Sequence, residues 1–250
     1  MPAEALNGKV AFVTGGSRGI GAAIARRLAK DGAAVVITYV NGKEKADTVV
    51  SGILADGGKA LALKADNRDA GEIAAAIENT VKEFGRLDIL VNSAGIWHAA
   101  PPLEQVTLAD FDDVMAVNFR AVFAAVSAAA PHLGNGGRVI TIGSNLAESV
   151  PWPGISLYAA SKAALIGLTK GLARDLGPQG VTVNVVHPGS TDTDMNPAAG
   201  DHAEQQRERI ATGSFGSPDD IASLVAWLAS PEGRFVSGAL LTVDGGGANA

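Results

Sequence analysis

The sequence predicts an α/β fold in which one doubly wound parallel sheet of about seven strands carries helices on both faces. Two observations predict it. Short apolar segments recur along the 250 residues, and stretches of helical composition separate them. The apolar segments are almost continuously apolar, as expected for strands buried on both faces of a parallel sheet. Strict alternation of strand and helix is typical of right-handed crossover connections.

Seven segments rich in valine, isoleucine or leucine are predicted as strands, at residues 9–14, 34–40, 60–64, 87–91, 137–143, 181–186 and 239–243. Six helices are predicted between them, at residues 19–31, 43–56, 69–84, about 108–133, 156–176 and 218–229. Glycines that suit a left-handed helix end follow four of these helices, at Gly32, Gly57, Gly85 and Gly177. Ser217 is predicted to cap the last helix, with Pro218 at its first position.

Composition excludes several classes of protein. The chain has no cysteine, which excludes disulfides and thiol nucleophiles, and its formal net charge of −6 argues against a nucleic-acid-binding surface. No signal peptide and no run of eighteen apolar residues is found, so we expect a cytoplasmic protein without a membrane segment. Residues 1–250 are interpreted as one domain, in which the polar segment 190–213 is a possible substrate lid.

A glycine-rich turn follows the first predicted strand and opens a helix, in the sequence Thr14-Gly-Gly-Ser-Arg-Gly-Ile-Gly21. Glycines let a pyrophosphate approach the helix N-terminus, whose free N–H groups favour anions. The turn predicts a dinucleotide site formed by Gly15, Ser17, Arg18, Gly19, Ile20 and Gly21. The alternative is a tight strand-to-helix turn that binds nothing.

The end of the second predicted strand bears on the choice of cofactor. NAD-binding proteins often place a carboxylate there, which binds the adenosine ribose and repels a 2′-phosphate. This strand ends Thr38-Tyr39-Val40-Asn41 and has no carboxylate. We therefore expect NADP(H) rather than NAD(H), with Arg18, Thr38 and Asn41 near the 2′-phosphate and Tyr39 against the adenine. Arg18 as a solvated turn residue is the alternative.

Tyr158 and Lys162 lie four residues apart, on one face of a predicted helix. The pKa of a free tyrosine is about 10, and a nearby cation lowers it by favouring the phenolate. Tyr158 is therefore a candidate acid or base, and Ser144, at the end of the fifth strand, a candidate donor to a substrate oxygen. Taken alone, the Tyr-x-x-x-Lys pattern more often marks an exposed helix face.

Together these segments resemble the short-chain dehydrogenase/reductase family over essentially the whole chain. The residues that carry the resemblance are the glycine-rich turn, Asn92-Ser-Ala-Gly95, Asn118, Ser144, Tyr158-Ala-Ala-Ser-Lys162, Pro188-Gly-Ser-Thr-Asp-Thr193 and Val243-Asp-Gly-Gly246. Within the family the chain is most similar to the 3-oxoacyl-acyl-carrier-protein reductase type.

The resemblance implies a Rossmann-type fold and an oxidoreductase that moves hydride between a nicotinamide and a small carbonyl or alcohol substrate. It implies that Tyr158 exchanges the proton, Lys162 holds the nicotinamide ribose and lowers the phenol pKa, Ser144 orients the carbonyl, and Asn118 holds a water. Further cofactor contacts are implied for Asp66, Asn67, Asn92, Ala94, Gly95, Pro188, Gly189, Thr191 and Thr193. A homotetramer or homodimer is implied as well.

The substrate pocket departs from the family pattern. Ser144 and Tyr158 are fourteen residues apart, one more than usual, with Pro151-Trp-Pro-Gly154 between them. Candidate pocket residues are Trp97, His98, Asn145, Glu148, Trp152, Ser190 and Met195, for each of which packing or a solvated loop is the alternative. The four histidines form no metal-ligand pair, so no catalytic metal is predicted. The alternative function is a protein that senses or sequesters a nucleotide on the same fold.

Overall fold

The computed structural model describes residues 5–97 and 102–249, and it confirms the predicted fold class. Seven parallel strands form one sheet in the order β3-β2-β1-β4-β5-β6-β7. Their bounds are β1 Val10–Val13, β2 Ala34–Tyr39, β3 Lys59–Lys64, β4 Ile89–Asn92, β5 Arg138–Ile142, β6 Thr182–Pro188 and β7 Leu240–Val243. The strand order reverses between β1 and β4, and a doubly wound sheet opens its ligand crevice at such a point.

Helices cover both faces of the sheet. Their bounds are α1 Gly19–Lys30, α2 Lys43–Ala55, α3 Ala70–Phe84, α4 Leu108–Met115, α5 Ala121–Ala129, α6 Ser156–Leu176, α7 Ala203–Arg207 and α8 Pro218–Ala229. Side chains of α1, α2 and α8 pack on one face around Ile24, Ile37 and Val225. Side chains of α3, α5 and α6 pack on the other face around Phe12, Ile77 and Val139. Burial of this apolar surface is the main stabilising contribution.

The predicted helix at 108–133 is the largest local error of the sequence prediction. The structure divides it into α4, a π-helical segment Ala116–Arg120, and α5. Single π turns occur mainly at functional sites, where they admit one extra residue into the turn. Asn118 lies at the centre of this segment. Apolar periodicity does not reveal such an insertion, because the flanking residues continue the helical pattern.

The helix ends follow the sequence signals with one exception. Gly32, Gly57 and Gly85 have φ values of +103°, +80° and +75°, as predicted. Gly177 was predicted to be left-handed, but its φ is −54° and it begins the short 3-10 turn Gly177–Gln179. The left-handed residue is Gly180, because this extra turn delays the end of the helical path. Ser217 forms the predicted N-cap, in a capping box with Asp220.

The described helices include none that is both long and apolar enough to cross a membrane.

One buried carboxylate joins the starts of two neighbouring strands. Asp88 precedes β4 and accepts hydrogen bonds from the Val10 amide at 3.0 Å, Lys9 Nζ at 3.1 Å and Arg86 Nη2 at 2.6 Å. Burial raises the pKa of the Asp88 carboxyl, but the bonds from Arg86, Val10 and Lys9 outweigh it, and the pKa lies below its ordinary value. The ionised carboxylate therefore stabilises the fold.

We expect Asp88→Asn to lower the free energy of unfolding at pH 7 by about 2 kcal/mol, the scale of hydrogen bonds to a charged group. A lowered folded pKa stabilises the protein above the unfolded pKa, and this contribution is lost as the pH falls through the folded pKa. The difference from wild type should therefore shrink below about pH 4. Urea unfolding at pH 7 and pH 3.5 measures it. Asp47→Asn, in an exposed pair with Lys43, is the control. A constant difference at both pH values would contradict this role of Asp88.

Candidate functional site

A large cleft opens at the carboxyl ends of the parallel strands. Its volume is about 1130 Å³, and segments that follow β1, β2, β4, β5 and β6 line it. Parallel strands all present their carboxyl ends at one edge, so turns distant in sequence meet there. The cleft gathers the glycine-rich turn, the segment after β6 and three of the four predicted catalytic residues, Ser144, Tyr158 and Lys162, into one site, whereas Asn118 does not line it.

The glycine-rich turn passes too close to neighbouring backbone for larger residues. Gly15 has a φ of +66°, and a Cβ on it would lie 2.8 Å from the Ala94 Cα. A Cβ on Gly21 would lie 2.4 Å from the Gly15 carbonyl oxygen. The Gly15 amide donates to Thr38 Oγ1 at 3.1 Å, which ties the turn to the end of β2. The backbone at the start of α1 is therefore open to a ligand and held in place.

Most of the predicted cofactor residues line this cleft. They are Gly15, Ser17, Arg18, Gly19, Ile20, Gly21, Thr38, Tyr39, Asn67, Ala94, Gly95, Tyr158, Lys162, Pro188, Gly189, Thr191 and Thr193. Asp66 and Asn92 do not line it. Asp66 accepts from the Arg68 amide at 2.9 Å. Asn92 is buried between β4 and β5, where its Nδ2 lies 3.4 Å from Thr141 Oγ1. The Asn92 side chain thus faces the neighbouring strand, whereas the Asp66 side chain is partly exposed beside Arg68, and contact of these two residues with the cofactor stays a prediction.

The end of β2 and the start of α2 form a basic rim. Arg18 and Asn41 are exposed there, and the Thr38 side chain is buried beneath them as the acceptor from Gly15. Lys45, in the first turn of α2, also lines the rim and was not predicted. Its Nζ lies 2.6 Å from Asp194 Oδ2, and this contact with Lys45, with Arg18 also near, lowers the pKa of Asp194.

Three predicted catalytic residues, Ser144, Tyr158 and Lys162, line the same cleft. Ser144 directly follows the turn out of β5, and Tyr158 and Lys162 occupy the first two turns of α6. Lys162 Nζ donates to the Ile142 carbonyl at 3.0 Å and lies 5.7 Å from the centre of the Tyr158 ring. Lys162 is only 4% exposed. The hypothesis that Tyr-x-x-x-Lys is merely an exposed helix face is therefore wrong for this chain.

The electrostatics of this pair differ from the sequence expectation. Burial raises the pKa of the Tyr158 phenol, and the hydrogen bond with Ser144 counteracts part of that rise. Burial also lowers the pKa of Lys162, to about 8. The expected lowering of the phenol pKa by Lys162 is not found among the protein's own groups, because burial is the largest cause of the pKa shift at both residues.

Asn118 holds the backbone that follows β4. Its Oδ1 accepts from the Ile96 amide at 2.9 Å, and its Nδ2 donates to the Ile96 carbonyl at 3.0 Å and to Ser161 Oγ at 3.1 Å. Both amide hydrogens are used, so the implied water would have to bind elsewhere on this residue. A Cβ on Gly95 would lie 3.4 Å from both Asn118 Oδ1 and Lys162 Nζ, which shows how closely the three residues pack.

The candidate substrate residues Trp97, Asn145, Trp152 and Ser190 line the cleft. Trp97 packs edge-on against Tyr158 with ring centres 5.0 Å apart. Asn145 Nδ2 faces Asp244 Oδ2 at 3.4 Å. Ser190 donates to Gln206 Oε1 at 2.6 Å.

Three further residues complete this comparison. Met195 lines the cleft, Glu148 is exposed and is not among the lining residues, and His98 lies outside the described residues. Gln206 was not predicted, because glutamine in a polar loop carries no distinctive pattern.

The described part of the chain contains no group of three or more histidine, aspartate or glutamate side chains that could hold a metal ion. The absence of a catalytic metal stays a prediction.

A family model described as enoyl-(acyl carrier protein) reductase matches residues 15–248. The chain belongs to the short-chain dehydrogenase/reductase family and is similar to its 3-oxoacyl-acyl-carrier-protein reductase branch.

Solved structures of relatives agree with this assignment. A dehydrogenase/reductase from Sinorhizobium meliloti 1021 is 74% identical, with a TM-score of 0.96 and coverage of 98% of this chain and 96% of that one. A short-chain dehydrogenase from Burkholderia cenocepacia J2315, in complex with NADP, is 59% identical, with a TM-score of 0.96 and coverage of 98% and 99%.

The name of one similar protein describes nucleotide binding and not a dehydrogenase or reductase. A cyclic-di-GMP-binding biofilm dispersal mediator protein of Escherichia coli K12 is 43% identical over 241 residues, or 96% of this chain and 98% of that protein.

We expect Lys162→Met to raise the free energy of unfolding at pH 7 by about 2 kcal/mol, after allowing for the lost hydrogen bond. A lowered pKa means that the charged lysine costs stability below about pH 8. This cost disappears as the pH rises towards its ordinary pKa of 10.5. The advantage of the variant should therefore shrink between those pH values.

Denaturant unfolding at several pH values measures this effect. Lys170→Met, on the exposed side of the same helix, is the control. A less stable Lys162→Met protein at pH 7 would contradict the cost that burial assigns to this ammonium.

Proposed function

We propose that this protein is an NADP(H)-dependent oxidoreductase that interconverts a carbonyl and a secondary alcohol. The observation that carries the proposal is the joint placement of Ser144, Tyr158 and Lys162 beside the glycine-rich turn in one cleft. Retention of a buried lysine at a stability cost, next to a phenol, is typical of a proton-transfer site. The oxidoreductase family and the NADP complex of the Burkholderia relative support the same function.

The dinucleotide fits features of this chain. The turn from Gly15 to Gly21 leaves backbone N–H groups open at the start of α1, where a pyrophosphate binds. Arg18 supplies positive charge on the rim, where the 2′-phosphate of NADP(H) would bind, and Lys45 lies there in an ion pair with Asp194. Thr191 and Thr193 lie across the cleft after β6. When bound, the cofactor supplies the hydride that moves between the nicotinamide and the substrate carbon.

The protein's groups handle the proton. In reduction, the Tyr158 hydroxyl donates its proton to the carbonyl oxygen as that oxygen gains negative charge. The raised pKa of Tyr158 keeps the phenol protonated at neutral pH, which suits an acid and favours reduction there. Ser144 donates a hydrogen bond to the same oxygen. Lys162, with a pKa of about 8, holds a proton close to the phenol and can replace the one that leaves.

Tyr158→Phe removes the proton donor and leaves the ring. We expect kcat to fall at least about 100-fold, the scale of general acid catalysis, and the Kd of NADPH to change less than about threefold. NADPH oxidation with the best substrate of a ketone and aldehyde panel measures kcat, and fluorescence titration measures Kd. A phenylalanine variant as active as wild type would rule out this role for Tyr158.

Arg18→Ala tests the choice of cofactor. We expect the Kd of NADPH to rise about tenfold and the Kd of NADH to stay within about twofold, because the guanidinium would contact only the 2′-phosphate. Arg174→Ala, an exposed position on α6, makes the same change of charge far from the rim and is the control. An equal loss of affinity for both cofactors in Arg18→Ala, or tighter binding of NADH than of NADPH by the wild-type protein, would contradict the proposed preference.

We also propose that residues 190–213 form a lid over the substrate. They contain α7, and Gln206 joins Ser190 and Asn196 within the segment through bonds of 2.6 and 2.9 Å. Proteolysis of this segment with and without NADPH tests the lid, which should become protected.

A homotetramer or homodimer is proposed as well. Phe111 and Phe123, on α4 and α5, are 42% and 52% exposed and would be covered by a partner. Sedimentation equilibrium distinguishes these assemblies from a monomer.

The name of the Escherichia coli relative favours a second candidate function, binding of cyclic di-GMP for regulation. The basic rim that would take the 2′-phosphate is chemically suited to a nucleotide phosphate of either source. Calorimetric titration with cyclic di-GMP and NADPH, separately and in competition, distinguishes the candidates. Tight cyclic di-GMP binding by a protein that turns over no panel substrate would replace the oxidoreductase proposal.

A further inference from the structure

A buried histidine lies directly behind Ser144. His187 is the penultimate residue of β6, and it is fully buried. Its ring fills the space that a side chain on Gly143 would need, because a Cβ there would lie 2.5 Å from Nδ1 and 2.7 Å from Cε1. The His187 ring therefore requires glycine at position 143. Gly143 directly precedes Ser144 in the chain.

The ring contacts the backbone of Ser144 through one nitrogen. His187 Nδ1 lies 2.7 Å from the Ser144 carbonyl oxygen, and the Ser144 amide N–H points at the same nitrogen from 3.1 Å. The nitrogen accepts from that amide if it carries a lone pair and donates to that carbonyl if it carries the proton. We assign the proton to Nδ1, because 2.7 Å between two lone pairs would be repulsive and the same distance suits an N–H···O bond. His187 Nε2 has no hydrogen-bond partner in the described residues, so this end of the ring provides no competing anchor.

The contact continues the link between β5 and β6 where the strand ladder stops. The last ladder bond runs from the Gly143 amide to the Val186 carbonyl at 2.7 Å. Further along β6, Pro188 has no N–H and cannot donate back to β5. The His187 side chain takes over at this point and joins β6 to the residue that carries the hydroxyl.

The Ser144 side chain is thus held from two sides. Its Oγ accepts from the Leu146 amide at 3.2 Å and lies within hydrogen-bonding reach of the Tyr158 phenol. Rotation of the Ser144 peptide would redirect the hydroxyl, and the imidazole opposes that rotation. We propose, on the basis of the function proposed above, that His187 is a positioning residue which fixes the Ser144 backbone and so aims the Ser144 hydroxyl at the substrate oxygen.

The charge state of the ring suits this role. Burial lowers the pKa of His187, while the bond with Ser144 and the Glu148 carboxylate raise it and Lys162 lowers it. The balance is a lowered pKa, so the imidazole is neutral near pH 7 and needs no partner for a second N–H.

Two variants of similar polarity separate positioning from simple packing. In His187→Asn the amide nitrogen can take the place of Nδ1 and donate to Ser144. In His187→Gln the amide reaches the place of Nε2 instead. We expect the asparagine variant to keep kcat within about threefold of wild type. We expect the glutamine variant to lose about tenfold or more in kcat and kcat/KM alike, with KM and the Kd of NADPH unchanged.

Gly143→Ala supplies an independent variant that leaves His187 in the sequence. Its methyl group would displace the ring, so we expect a loss of kcat similar to that of His187→Gln. In a His187→Ala background the ring no longer blocks the methyl group, and the remaining close atom is Val185 Cγ2 at 3.1 Å, so Gly143→Ala should then cause a smaller further loss. Such non-additivity is expected of two residues that act through one contact. Thermal unfolding of every variant separates loss of activity from loss of folded protein.

The nitrogen-15 NMR spectrum of the imidazole rings tests the bond between His187 Nδ1 and Ser144 without an activity measurement. The signals of His187 are identified by their absence from the spectrum of His187→Asn. A protonated Nδ1 and a pyridine-like Nε2 are expected, and the reverse pattern would overturn the assigned bond from Nδ1 to the Ser144 carbonyl. Equal kcat for the asparagine and glutamine variants, in a protein that Tyr158→Phe inactivates, would overturn the positioning role alone. Undiminished turnover by Tyr158→Phe would instead overturn the proposed function.

Discussion

The buried ammonium of Lys162 is the constraint on which the site depends. It lies between α6 and the end of β5, donates to the Ile142 carbonyl at 3.0 Å and faces the Tyr158 ring. Removing this charge from water is unfavourable, and the cost appears as a pKa lowered to about 8. The same burial brings the pKa of the lysine close to neutral pH, where it can exchange a proton. The fold thus accepts a local loss of stability where the reaction would take place.

The parallel sheet explains how so many functional groups reach one cleft. Each strand delivers its following turn to the same edge, and the reversal of strand order between β1 and β4 opens that edge. Gly15 approaches Ala94 across this opening, and Gly95 packs beside Lys162 and Asn118. The close approach of backbones accounts for the glycines at these positions. It also links the cofactor turn to the catalytic residues through a few rigid contacts.

Hydrogen bonds to the backbone, more than contacts between side chains, hold the catalytic residues. Asn118 uses its amide group on both backbone polar groups of Ile96. His187 contacts the backbone of Ser144 from the neighbouring strand. Lys162 itself donates to a carbonyl of β5. Each contact fixes a peptide group whose orientation then directs a functional atom, which gives the site its precision without an extended network of charged pairs.

The fold class and nearly all of the strands and helices could be predicted from the sequence, which also predicts Ser144, Tyr158 and Lys162 as candidate catalytic residues. These predictions are possible because apolar periodicity, glycine turns and short motifs are local signals. Three further properties require the folded chain: the direction in which the pKa of Tyr158 is shifted, the partners of Asn118, and the contact of His187 with Ser144. Those properties depend on burial and on strand neighbours distant in sequence. Nothing in the sequence around His187 indicates a role, because its contact with Ser144 arises only when β6 pairs with β5.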